Sequence, residues 1–152
     1  MIAWRVVPQK YAASAFDGEG ARRSGGRFNS PGTPVVYTSD TLALAVLEVV
    51  VHLPTYRALR GRVSFRLDIP DDLVETLAEH HLPHDWRSTP PSRSTQALGD
   101  DWVTRADSAV LQLPSVLLPH HTNLILNPAH PDASQIAIGS GEAIPVDPRL
   151  IK

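Results

Sequence analysis

Two stretches of this sequence carry residue types that do chemistry. One is GARRSGGRFN at residues 20–29, where Arg22, Arg23 and Arg27 stand among Gly20, Gly25 and Gly26. Glycine lets backbone N–H groups approach an anion closely, and arginine adds planar, forked donors. The other is Glu48, the one Asp, Glu, Lys or Arg between Asp40 and Arg57, set inside LALAVLEVVV. A carboxylate held in dry surroundings can stabilise a cation that develops during a reaction. Each stretch also has a plain structural reading. The loop can be a solvated turn, and Glu48 can reach a helix edge or pair with an arginine. His52 follows Glu48 by one helical turn on the same face, as a possible hydrogen-bond partner. Tyr37, just before that helix, can stack on a flat ring or serve as an ordinary strand tyrosine. Ser115 in LQLPSVLLP lacks the GxSxG surroundings of a hydrolase nucleophile. The arginine loop has neither the GxxxxGK[ST] nor the GxGxxG pattern. His80, His81, His84 and Asp85 in EHHLPHDW match no metal-ligand spacing, and Pro83 interrupts any helix that would align them. No metal is expected.

The elements that position these residues follow from periodicity. Ile2–Val7 alternates as a strand, with Ala3, Arg5 and Val7 on one face, so Arg5 projects from a strand. Residues 8–34 read as a long loop with one helical turn, and loops of that length usually serve function or are disordered. Val35–Thr38 is a short strand. Ser39 or Asp40 can cap the helix that follows over about Thr41–His52, whose nearly all-round apolar character predicts burial, and Pro54 ends it. Arg62–Ile69 alternates as a half-exposed strand. Asp71–His81 reads as a short helix, residues 82–99 as a second long loop and Asp100–Ala106 as a helical turn. Ser108–Leu118 and Asn123–Leu126 read as strands interrupted by Pro114 and Pro119, and Gln135–Ile138 as a last strand. Together they predict an α+β fold, a twisted antiparallel or mixed sheet with flanking helices, in one domain over residues 1–152.

Composition narrows the partners. The chain has 152 residues, no cysteine and 14 prolines. Disulfide and thiolate chemistry are excluded, and a cytoplasmic setting is compatible. MIAWRVVPQK lacks the pattern of a signal peptide, and no apolar run approaches the roughly 18 residues that span a bilayer. The net charge is −2 and the pI about 6.4. A general nucleic-acid binder usually carries a strong positive excess. The arginine cluster is therefore local charge in a mildly acidic chain, which favours one specific anionic ligand over bulk nucleic acid.

The order of the blocks is more specific than any one of them. WR at residues 4–5, GEGARRSGGRFN at 18–29, YTSDTLALAVLEVVVH at 37–52, GDDW at 99–102 and LPSVLLPHHTNLILNPAHP at 113–131 together resemble the RES domain family, over nearly the whole chain. The resemblance implies an ADP-ribosyltransferase-like fold, with a twisted or split β-sheet and flanking helices, and the toxin of a bacterial RES–Xre toxin–antitoxin system. It implies an enzyme that consumes NAD+ by hydrolysis or phosphorolysis of the nicotinamide–ribose bond and arrests growth, or one that ADP-ribosylates a protein. The implied site comprises Arg5, Arg27, Tyr37, Glu48 and Ser115. Arg5 and Arg27, with Gly25 and Gly26 permitting close approach, would hold the pyrophosphate. Tyr37 would stack on nicotinamide or ribose, Glu48 would stabilise the oxocarbenium-like state and Ser115 would position phosphate, water or ribose. Two positions depart from the pattern: Phe28 replaces the usual Trp, and His121 stands where an acidic residue often precedes Asn123. The implied partner is a separate Xre-like helix-turn-helix antitoxin, with the toxin as a homodimer in the complex. Arg22 and Arg23 would line the entrance or meet that antitoxin. Water, phosphate and a protein side chain all remain open as acceptor.

Overall fold

The computed structural model describes residues 1–150. Its centre is β1 (Ile2–Pro8), paired antiparallel along its whole length with β3 (Arg62–Asp68), from Ile2↔Asp68 to Pro8↔Arg62. On its other side β1 shares only the pair Trp4↔Ser39 with β2 (Val36–Ser39). The sheet splits there. β2 instead runs beside β6 (Thr122–Leu126), from Val36↔Leu126 to Ser39↔Asn123. β5 (Val110–Pro114) continues the sheet beside β6. β4 (Val74–Thr76) adds a parallel pair on β5, so the sheet is mixed. β7 (Ala137–Ile138) and β8 (Glu142–Ala143) both pair with β3.

Each face of the sheet carries its own core. One gathers Ala3, Val7, Val36, Phe65, Leu67 and Leu124 under Phe16 and Ile136. The other gathers Leu111, Leu113 and Ile125 with Phe28, Trp86 and Trp102 from the connecting segments. Full burial of a side chain such as Leu113 or Phe28 contributes about 1.5–3 kcal/mol. The long connections are thus tied down because they supply half of the second core. That core covers the face from which Tyr37, Ser39 and Asn123 project, by strand alternation and register.

Three local expectations change. Asp71–His81 is not a helix. It is a 3-10 turn at Asp71–Leu73, then β4, then a second turn at Glu79–His81. The ladder to β5 outweighs the weak local helix signal, and Val74 and Thr76 are β-branched. The second long loop ends early, because α3 occupies Arg93–Arg105. Ser92 caps it by accepting from Thr95 N at 3.2 Å. Its buried stripe, Thr95, Gly99 and Trp102, has helical spacing but little hydrophobicity, so the apolar pattern hid it. Finally α2 (Leu42–Val50), capped by Thr41 and not by Ser39 or Asp40, is not buried all round. Leu44 and Ala45 are buried against β1 and β2, while Leu47 is 38% and Val51 53% exposed. The helix lies on the surface of the split sheet, with only one side covered.

Candidate active site

The arginine loop is built around Tyr37. α1 (Glu19–Ser24) ends at Gly25, whose φ of +70° is left-handed and favours glycine. At Gly26 a Cβ would lie 2.5 Å from the Tyr37 hydroxyl, so the phenol occupies the space a side chain would need. That hydroxyl accepts from Phe28 N at 3.0 Å and donates to Asn29 Oδ1 at 2.7 Å. Buried Asn29 in turn donates through Nδ2 to Ala21 O and Thr33 O, each at 2.9 Å. Burial pushes the Tyr37 phenol above its usual pKa, against the opposing Phe28 N–H, so it stays neutral. The Gly25 and Gly26 amides donate to Ala21 O and Asn29 O. Here the glycines shape the loop rather than offer free N–H groups.

Arg27 is half-buried, and its Nη1 donates to Trp86 O and Ser88 O, both at 2.8 Å. Burial holds its guanidinium below arginine's ordinary pKa, while the Glu48 carboxylate nearby pulls it the other way. Glu48 projects half-buried from α2, and its Oε1 accepts from Asn123 Nδ2 at 2.6 Å. Ser39 Oγ donates to Asn123 Oδ1 at 2.8 Å, which fixes the amide so that its NH2 group faces the carboxylate. At the same end of β2 and β6, Asp40 accepts from Thr122 N at 2.8 Å and lies 3.1 Å from His121 Nδ1. Where His121 replaces an acidic residue, Asp40 brings a carboxylate to that corner.

Arg27 thus lies within electrostatic reach of both Glu48 and Tyr37, on the face of the sheet that carries Tyr37 and Asn123. Ser115 sits one residue beyond β5 at the same end, its N–H donating to His121 O. Its buried hydroxyl accepts from Leu117 N at 3.1 Å and Leu118 N at 3.3 Å, closing the turn that follows. Arg5 is placed differently. Trp4 pairs with Ser39, so the next residue projects from the opposite face, with Arg5 opposite Phe65. Its Nε donates to Ala15 O at 2.5 Å and its Nη1 to Tyr37 O at 2.7 Å. Burial pushes its pKa down to about 10, with Asp17 opposing. Arg5 thus holds the strand that carries Tyr37 from behind. Asn123, which bonds Glu48, and Ser39, which fixes Asn123, are residues of the site that periodicity does not reveal. The one signal is an asparagine opening a strand of Leu and Ile, where asparagine is depleted.

The fold has a known counterpart. It matches a chain in the crystal structure of the M. tuberculosis MbcT–MbcA toxin–antitoxin complex with a TM-score of 0.77, at 20% identity, over 94% of this chain and 83% of that one. At that identity the likeness concerns the fold. The sequence goes further: the family model of the RES domain matches residues 2–147, and the chain belongs to that family. Its relatives include the Prs ADP-ribosylating toxin of Sphingobium sp. (strain YBL2), 36% identical over 98% of this chain and 96% of that one. Another is Toxin Res of Yersinia enterocolitica serotype O:8 / biotype 1B, 34% identical over 99% of both chains.

Proposed function

We propose that this chain is the toxin of a toxin–antitoxin system and consumes NAD+ by cleaving the nicotinamide–ribose bond. The observation that carries this reading is the convergence of Arg27, Tyr37 and a Glu48 oriented by Asn123. Family membership and the toxin names of its relatives support it. NAD+ offers a pyrophosphate for Arg27 and a flat cationic ring for Tyr37. When the C1′–N bond breaks, its electron pair moves to the ring nitrogen, and nicotinamide leaves as a neutral base without needing a proton. Positive charge then builds on the ribose, as in glycoside cleavage. The Glu48 carboxylate faces that charge and can accept from a ribose hydroxyl. Water, placed from the Ser115 turn, then bonds C1′ and loses a proton to solvent, or an anionic phosphate oxygen placed there bonds C1′ with no proton to lose. Gly25 and Gly26 act by shaping the loop and Arg5 by holding the Tyr37 strand. The separate partner that silences the site is an Xre-like antitoxin, with the toxin as a homodimer in the complex, acting in the cytoplasm.

A second reading has its own observation: a relative 36% identical is named Prs ADP-ribosylating toxin. The same site would then pass ADP-ribose to a protein side chain. One assay separates the outcomes. Purified protein is incubated with labelled NAD+, with and without phosphate, beside a folded Glu48→Ala variant. Soluble label with released nicotinamide supports consumption, and a phosphate requirement identifies phosphorolysis. Label retained on an added protein supports transfer. Equal turnover by Glu48→Ala removes Glu48 from the mechanism.

A further inference from the structure

Helix α3 is fastened to the arginine loop along one side. Three α3 residues at positions i, i+3 and i+4 share one helix face and meet the loop at alternate residues. Gln96 Nε2 donates to Gly26 O at 3.0 Å. Gly99 lies so close that an added Cβ would fall 1.7 Å from Phe28 O and 2.7 Å from Phe28 C, which are backbone atoms with no rotamer to escape into. Asp100 Oδ1 accepts from Ser30 N at 3.0 Å, and its Oδ2 accepts from Ser30 Oγ. The residues on both sides of Arg27 are thus fastened to the helix. The segment entering α3 holds Arg27 itself through Trp86 O and Ser88 O. Among the described residues only Nη1 of that guanidinium is engaged, so its Nε and Nη2 groups have no protein acceptor.

We infer that Gln96, Gly99 and Asp100 are positioning residues that aim the Arg27 fork at the pyrophosphate of a dinucleotide. The inference rests on the reading of Arg27 as a ligand of NAD+. Buried Trp102, whose Nε1 donates to Ser108 Oγ at 2.8 Å, secures α3 to the body of the domain. The loop itself is short of apolar residues and would not hold its shape unaided. Aiming has a distinct signature, because pyrophosphate contacts persist from ground state to transition state. Losing them raises KM and leaves kcat nearly unchanged.

The test uses the full chain with Asp100→Ala, Asp100→Asn, Gln96→Ala and Gly99→Ala, first alone and then in an Arg27→Ala background. Nicotinamide release yields kcat and KM, and calorimetry yields the Kd for NAD+. Asp100→Ala and Gln96→Ala are expected to raise KM and Kd about tenfold at nearly constant kcat. Asp100→Asn, which keeps one acceptor for Ser30, recovers most of the loss. In the Arg27→Ala background the same changes leave Kd where Arg27→Ala alone puts it. If Gly99→Ala does not fold, the other three still decide. An Asp100→Ala protein with wild-type KM and Kd overturns the inference. So does one whose binding weakens equally with and without Arg27, since that is what a purely structural helix would do. A wild-type chain that neither binds nor cleaves NAD+ refutes the proposed function, and with it the ligand assigned here.

Discussion

The outer and inner halves of the arginine loop use one residue type in opposite ways. Arg22 and Arg23, on α1, are exposed and both bond to Glu19, at 2.6 and 2.9 Å. They neutralise a carboxylate of their own helix, three and four residues away, and remain in water. Arg27, a few residues on, turns inward to two backbone carbonyls and feels the field of Glu48. A guanidinium that has already found a carboxylate has little charge left for a substrate. One that rests on neutral carbonyls keeps its charge and loses part of its hydration. Local spacing produces the first arrangement; only the walls supplied by residues 86–105 produce the second.

This contrast can be broken from either side. The largest effect is expected at the inner half. Arg27→Lys keeps the charge but loses the fork, and should lower kcat/KM for NAD+ by about tenfold or more, read from nicotinamide release. A wild-type value would mean that the inner arginine is no more special than the outer pair. Tyr37→Phe comes next. It leaves Phe28 N and Asn29 Oδ1 without their partner, at a cost of about 1–3 kcal/mol, visible in thermal unfolding. Turnover should fall with it, because the loop that carries Arg27 loosens. Replacing both Arg22 and Arg23 with Ala should leave the melting temperature nearly unchanged and alter turnover by under about twofold, as expected of exposed pairs. A large loss of turnover would place the outer arginines at the substrate. The smallest effect concerns pH. Its exposed arginine partners hold the Glu19 carboxyl down at about 2 in the folded chain, from an ordinary 4.5. A depressed carboxylate adds stability above its unfolded pKa and loses it as pH falls toward the folded one. Compared with wild type, Glu19→Gln should show a slightly smaller drop in melting temperature between about pH 4.5 and pH 2, and added salt should shrink the difference.

Legibility in the sequence followed the range of the interactions. The β1 and β3 strands, β2, and the helix carrying Glu48 were visible because period-two and helical patterns are local. The ordered blocks were enough to indicate the family, and with it the split sheet. Asp100–Ala106 read as a helical turn, but the first half of α3 did not show, because its buried face uses Thr95 and Gly99, which read as polar or flexible residues in a sequence. β4 was misread as helix because its pairing partner lies more than thirty residues further along. Arg5 was legible as a strand arginine, yet its side of the sheet depends on the register of Trp4 with Ser39.

By itself, the sequence determined which residues could do chemistry. The isolated charge of Glu48 among aliphatic residues and the arginines set among glycines are properties of the chain, and so is the composition that argues against bulk nucleic-acid binding. Only the tertiary structure decided which of those residues meet. Arg27 and Glu48 come together because β2 leaves β1 after one pair and carries Tyr37 and α2 to one face. The same register sends Arg5 to the other face. Asn123 orients Glu48 from a strand far along the chain, and α3 fastens the loop by a backbone approach that only a glycine at position 99 permits. A chain pattern carries the period of its own backbone. It carries neither the register against a distant strand nor the closeness of two backbones, and those two quantities assemble this site.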